Sequence, residues 1–238
     1  MSDAPPRAPE LAVVSDVAGE FAERVVEAFH CRPGELFGLA LTGGAVAAEC
    51  YERLATHGET QIDWWQVELF LADECRVDPD HVDSHERLIR LMLLDRVGAA
   101  HLVHPLRDDR TLAAAAEALQ GRSLDVVHLD LGPDGRLSSL FPDPSASTPL
   151  GVGGAGGPGG GEPPAVVRTA DPAGVVPHER YSLSWPVIER ASCVVVTAVG
   201  AAVADAFAAV QAGLDVPGNL LRNDRVVWLA DRAAAGER

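Results

Sequence analysis

The sequence predicts one α/β domain, built on a doubly wound, mostly parallel sheet with helices on both faces. Three observations carry this. Short, continuous apolar runs recur along the chain, as expected of strands buried on both sides. Helical patterns alternate with them, which is the signature of a parallel sheet. At 238 residues and 47% hydrophobic content the chain can also bury one sizeable core.

The elements follow in order. Residues 1–10 are Pro-rich and read as a loose N-terminus, leaving 11–238 as the domain. Ser15 is placed to cap a helix whose Val17, Phe21, Val25 and Phe29 recur every fourth residue. Leu36 to Leu41 reads as a buried strand that ends in Thr42-Gly43-Gly44, before a helix with Ala47, Tyr51 and Leu54. Val67 to Ala72 is a second strand, running into an acidic loop, Asp73 to Arg76. Leu88, Ile89, Leu91, Met92 and Leu94 mark the next helix, and the Ala-rich segment 112–119 another. Asp125 to Leu131, Cys193 to Val199 and Arg225 to Ala230 are further strands, with a helix over Ala201 to Ala212. Gly151 to Gly161, GVGGAGGPGGG, has nothing to pack and reads as a surface loop within the domain.

A net charge of −16 argues against nucleic acid and anionic membrane as partners, because both reward clustered Lys and Arg. A small anionic metabolite needs only a few local cations and stays allowed. The stretch MSDAPPRAPE has neither the basic nor the apolar region of a signal peptide, and no apolar run is long enough for a membrane span. Cys31, Cys50, Cys75 and Cys193 show no paired spacing, and a reducing cytoplasm is the compartment expected.

Several turns carry residues suited to chemistry. Thr42-Gly43-Gly44 lies between a strand and a helix, where glycine N–H groups and a helix N-terminus suit a phosphate; a plain tight turn reads equally. Asp73-Glu74-Cys75-Arg76 offers carboxylates and a guanidinium, with Arg76 also able to pair with Asp78 or Asp80. Cys75, His81, Asp83 and His85 are zinc-ligand types. Ser84, however, reads as a helix cap that leaves His81 outside the helix, so a solvated acidic loop without metal is expected. His128 lies within a strand and reads as a satisfied core histidine.

The stretch Leu129 to Asp143, LDLGPDGRLSSLFPD, resembles the GMGPDGHTASLFP signature of the 6-phosphogluconolactonase family, whose relatives include the glucosamine-6-phosphate isomerases. Thr42-Gly43-Gly44 resembles that family's SGGSTP phosphate loop, and Asp73 to Val77 its DERxVP loop. Asp80 to His85 resembles DHxDSN with His85 in place of Asn. Glu179 to Pro186 resembles RITLTLP, Val199 to Val203 resembles TGADK, and the WLADRAAA tail resembles WLLDRDAA. The resemblance implies hydrolysis of 6-phosphoglucono-1,5-lactone in the pentose phosphate pathway, without cofactor or metal. It implies substrate contacts at Thr42, Gly43, Gly44, Asp73, Arg76, Gly132 and Arg180, with Arg136 and Asp134 at the catalytic turn.

Besides His85, three positions of the presumed pocket depart from the family: Cys75 replaces Arg, Arg136 replaces the catalytic His, and Val203 replaces Lys. An arginine stays protonated and cannot act as a base, so water activation falls to another residue. A catalytically impaired relative that binds a sugar phosphate or a protein partner is therefore the alternative, with an isomerase-like reaction ranked behind it. A cavity flanked by Arg76, Arg136 and Arg180 would mean a rewired anion site; Arg136 paired to Asp73 or Glu74 would mean a sealed one.

Overall fold

The structure is a computed structural model and describes residues 8–98, 100–150, 163–174, 176–214, 221 and 224–237. The chain runs β1 (Glu10–Val13), α1 (Val17–Cys31), β2 (Phe37–Leu41), α2 (Ala45–His57), β3 (Val67–Leu71) and β4 (Asp73–Cys75). It continues with α3 (His85–Ile89), a π turn (Arg90–Leu94), α4 (Asp95–Val97), β5 (Leu102–His104), α5 (Asp109–Leu119) and β6 (Val126–Asp130). Then come β7 (Ser147–Pro149), β8 (Val166–Thr169), β9 (Arg180–Leu183), α6 (Trp185–Glu189), β10 (Cys193–Ala198), α7 (Ala204–Gln211) and β11 (Val226–Ala230).

Seven strands form the main sheet in the order β1-β11-β10-β6-β2-β3-β5, and every neighbouring pair is parallel. All residues of β2, β3 and β11 are buried, so both faces of the sheet centre are covered. Strand order reverses between β2 and β6, and the crevice beyond their carboxyl ends is where such a sheet binds ligands.

The expected strands and helices are present, with corrections. Glu10, the last residue of the segment expected to be loose, begins β1, which pairs in parallel with β11. Asp16, not Ser15, caps α1: its Oδ1 accepts the Gly19 N–H at 2.9 Å. The acidic stretch after β3 is not a loop but strand β4, in a second, antiparallel sheet ordered β4-β9-β8-β7. Burial decides this, because Asp73, Glu74 and Cys75 are all buried and their backbone groups need ladder partners. The chain changes sheet at a single residue: Ala72 N–H donates to Leu41 O of the main sheet at 2.7 Å, and its carbonyl accepts Leu183 N–H at 2.8 Å. The Gly-rich stretch 151–161 lies outside the described residues. Glu68 sits within the otherwise apolar β3 because it pairs with Arg122 and hydrogen-bonds His104 at 2.7 Å.

Candidate active site

Asp73 is the centre of the site. It stands at the seam between the two sheets, 1% exposed, and four side chains converge on it. Thr42 Oγ1, from the end of β2, donates to Asp73 Oδ1 at 2.7 Å. Ser139 Oγ, from the turn after β6, donates to Oδ2. His85 Nδ1, from the start of α3, lies 3.1 Å from Oδ1, and Arg180 Nη1 from β9 lies 3.8 Å from Oδ2. Burial opposes a charge here, but the His85 imidazolium, Arg180 and Ser139 outweigh it and hold the Asp73 carboxyl well below the usual carboxylate range. Burial likewise opposes charge on His85, yet Asp73 on one side and Cys75 on the other carry the imidazole well above its usual value.

Cys75 Sγ lies 3.7 Å from His85 Nε2, so one imidazole bridges a thiol and a carboxylate. The ring rests on Gly43: a Cβ there would stand 2.1 Å from His85 Cδ2, so only glycine leaves room for it. Glu74, next in the chain, holds α3 in place. Its carboxylate accepts the backbone N–H groups of Cys75, His85 and Glu86 at 2.7, 2.7 and 2.8 Å, and the Ser84 hydroxyl at 3.2 Å. Burial raises the Glu74 pKa despite these donors. Ser84 caps α3 as expected, accepting the Arg87 N–H.

Beside this cluster opens a cavity of about 360 Å³, lined by Gly44, Ala45, Cys75, His85 and Arg180, with Asp83 and His178 among its other walls. The phosphate-loop residues divide. Thr42 and Gly43 are buried, with the Thr42 hydroxyl committed to Asp73 and Gly43 covered by the His85 ring, whereas Gly44 and Ala45 are exposed at the N-terminus of α2. Gly44 takes φ +109°, a conformation open to glycine. Arg180 Nε is buried with no hydrogen-bond partner among the described residues.

Other expected site residues lie elsewhere. Arg136 folds back over its own turn, where Nη1 donates to Asp134 Oδ1 at 2.8 Å and the side chain packs on Gly132; it pairs with neither Asp73 nor Glu74. Arg76 does not line the cavity: it pairs with Glu179 and lies over the Tyr181 ring at 5.6 Å, because alternation along the strand turns it away from the Cys75 side. Of the three arginines considered for an anion site, Arg180 alone reaches the cavity. Val203 is buried in the core. His81, Asp83 and His178 bring three ligand atoms within 4.8 Å of one another, a set different from the Cys75, His81, Asp83 and His85 group the sequence offered. His128 is a core histidine, between the Tyr51 hydroxyl at 3.0 Å and Thr197 Oγ1 at 3.2 Å.

Sequence reasoning passed over Asp130, the last residue of β6. Its Oδ1 accepts Thr197 Oγ1 at 2.9 Å, and Oδ2 faces the Gly44 turn, 3.9 Å from where a Cβ would stand. Burial pushes its pKa up to about 6, with the Thr197 hydroxyl and Arg136 opposing the rise and Asp73 adding to it. A carboxyl raised in the fold destabilises the protein progressively as the pH rises from its unfolded value to its folded one, and fully above that. Asp130→Asn is therefore expected to stabilise the protein by about 3 kcal/mol at pH 8 and by nothing at pH 3. Urea titrations across that range check this, and an equal gain at every pH would contradict it.

The family described as glucosamine-6-phosphate isomerases/6-phosphogluconolactonase matches residues 9–228. A 6-phosphogluconolactonase of Nostoc is 30% identical over 221 residues, covering 84% of each chain, and that of Mycobacterium leprae matches to the same extent. The solved structure of 6-phosphogluconolactonase from Trypanosoma brucei superposes with a TM-score of 0.78 at 21% identity, covering 98% of this chain and 99% of that one. A monomeric glucosamine-6-phosphate deaminase superposes at 0.72 and 15% identity, over 96% of this chain and all of that one. A parallel sheet whose order reverses above Gly44 and Asp130, the signature turn beyond β6 and these matches converge: the chain belongs to the glucosamine-6-phosphate isomerase/6-phosphogluconolactonase family.

Proposed function

We propose that the protein hydrolyses 6-phosphoglucono-1,5-lactone to 6-phosphogluconate. The observation that carries this is a cavity lined both by Arg180 and by the exposed Gly44 at the start of α2, in a chain of this family. Backbone N–H groups at a helix start and a guanidinium suit a phosphate, and they compensate for the charge Val203 does not supply. Gly44 and Arg180 hold the phosphate in this reading, with Thr42 and Gly43 shaping the turn behind. Gly132, Asp134 and Arg136 keep the neighbouring turn closed. The ligand is a small sugar phosphate, and the reducing cytoplasm is the compartment; no helix among the described residues is long and apolar enough to cross a membrane.

Lactone consumption by the purified protein, followed against spontaneous hydrolysis, tests the reading. Turnover orders of magnitude above background is expected, with Arg180→Ala raising KM by roughly tenfold or more. 6-Phosphogluconate is expected to raise Tm in wild type. An inert protein whose Tm still responds to 6-phosphogluconate would be the impaired sugar-phosphate binder instead. An inert protein that ignores the product would end both readings.

A further inference from the structure

With Arg136 unable to take a proton, the lactonase reading lacks the family's base for activating water, and two departures from the family meet where another route to attack on the carbonyl could be. Cys75 stands where the family has Arg, and His85 where it has Asn. In the fold they come together on the retained Asp73. Sγ lies 3.7 Å from Nε2 of the imidazole, whose Nδ1 lies 3.1 Å from Asp73 Oδ1. That is the order nucleophile, proton partner, orienter.

The arrangement is held firmly. Asp73 is fixed by Thr42 and Ser139, the ring is seated on Gly43, and the Cys75 and His85 backbones are both tied to Glu74. Side chains fixed in this way are preorganised for chemistry. Cys75 and His85 also line the cavity that carries Gly44 and Arg180, so a substrate bound there meets the sulfur.

Resting on the lactonase reading, we propose that Cys75 is the nucleophile that opens the lactone, with His85 as its proton partner and Asp73 as the residue that positions His85. Sγ attacks the carbonyl carbon as its proton passes towards His85 Nε2; a sulfur–carbon bond forms and the carbonyl electron pair moves onto oxygen. The adduct collapses, the ring ester bond breaks, and the ring oxygen leaves with the proton from His85. A thioester of the open-chain acid remains. Water then gives a proton to His85 and attacks the thioester, the carbon–sulfur bond breaks, and sulfur recovers its electron pair. One lactone and one water become one acid, with no oxidant or cofactor consumed. The charged and titratable groups facing the pair are Asp73 and Glu74 on β4, Arg180 on β9, and Asp83 and His178 across the cavity.

The test is acid quenching of the wild-type protein during turnover of 6-phosphoglucono-1,5-lactone, followed by mass spectrometry and peptide mapping. An adduct with the mass of one lactone on the Cys75 peptide is expected. Cys75→Ala and the near-isosteric Cys75→Ser are expected to lose about a thousandfold in kcat while binding 6-phosphogluconate within about threefold of wild type. His85→Asn is expected to slow acylation and change its pH profile. If Cys75→Ala keeps more than roughly a tenth of kcat, the proposal is overturned. The same holds if no adduct forms while Asp130→Asn abolishes turnover, since water would then be activated by Asp130 directly. p-Nitrophenyl acetate separates this proposal from the substrate reading. Acetylation of Cys75 that His85→Asn slows upholds the triad even if the lactone is not the substrate; absence of acetylation in a protein inert towards the lactone ends both.

Discussion

Asp73→Ala is expected to cost about 3–5 kcal/mol of folding stability, because it removes one partner of a buried ion pair and leaves the other charged. His85 would keep its place against Gly43 without a counter-charge, and the Thr42 and Ser139 hydroxyls would each lose an acceptor. At this chain length the loss corresponds to a fall in Tm of roughly 10 °C, read by calorimetry. The pH dependence carries a sign. The Asp73 pKa is depressed in the fold, so its contribution is present above about pH 4 and is lost as the pH falls. The His85 pKa is raised, so its contribution is complete below about pH 6.5 and is lost as the pH rises. The wild-type advantage over Asp73→Ala is thus greatest between those values and shrinks on both sides. An advantage that grows steadily above pH 7 would show that His85 is not the partner.

A second large effect is expected from His128. Complete burial pushes its pKa down to about 3, with Asp73 opposing only weakly, so in the fold it stays neutral between the Tyr51 hydroxyl and Thr197. The unfolded chain takes up that proton near pH 6.5, and the stability present above this value is lost as the pH falls towards 3. The loss amounts to about 4 kcal/mol by pH 3. His128→Gln, which keeps a donor and an acceptor but does not titrate, is expected to be weaker than wild type at pH 7 and to decline less in acid. Acid titrations of both proteins by circular dichroism check this; parallel curves would assign the acid lability elsewhere.

The main sheet was legible because its strands are buried on both faces and announce themselves as unbroken apolar runs, such as Val226 to Ala230. The second sheet was not. Strand β4 is acidic, and β9 opens with Arg180 and alternates polar with apolar residues, so both resemble loop or surface until the ladder between them is seen. The site was legible as a place and only partly as chemistry. The turns at Thr42 and Asp73 converge, yet Cys75 and His85 are ten residues apart and meet only because β4 is a strand and Glu74 ties the start of α3 back to it. Asp130 gave no signal, since a single acidic residue at a strand end is commonplace until its burial is known. Arg76 and Arg136 were read from their types, and near carboxylates, Glu179 and Asp134, claim them first.

The change of sheet at Ala72 has a consequence for how the site comes and goes. One residue is shared by two ladders, and the next residue is the carboxylate on which the site converges. Local opening of the second sheet must therefore break the Leu183 to Ala72 bond and loosen Asp73 in the same event. Backbone amide deuterium exchange at Leu183 would then report the lifetime of the assembled site, and a ligand that slows it would be tightening the stitch between the sheets as well as filling the cavity.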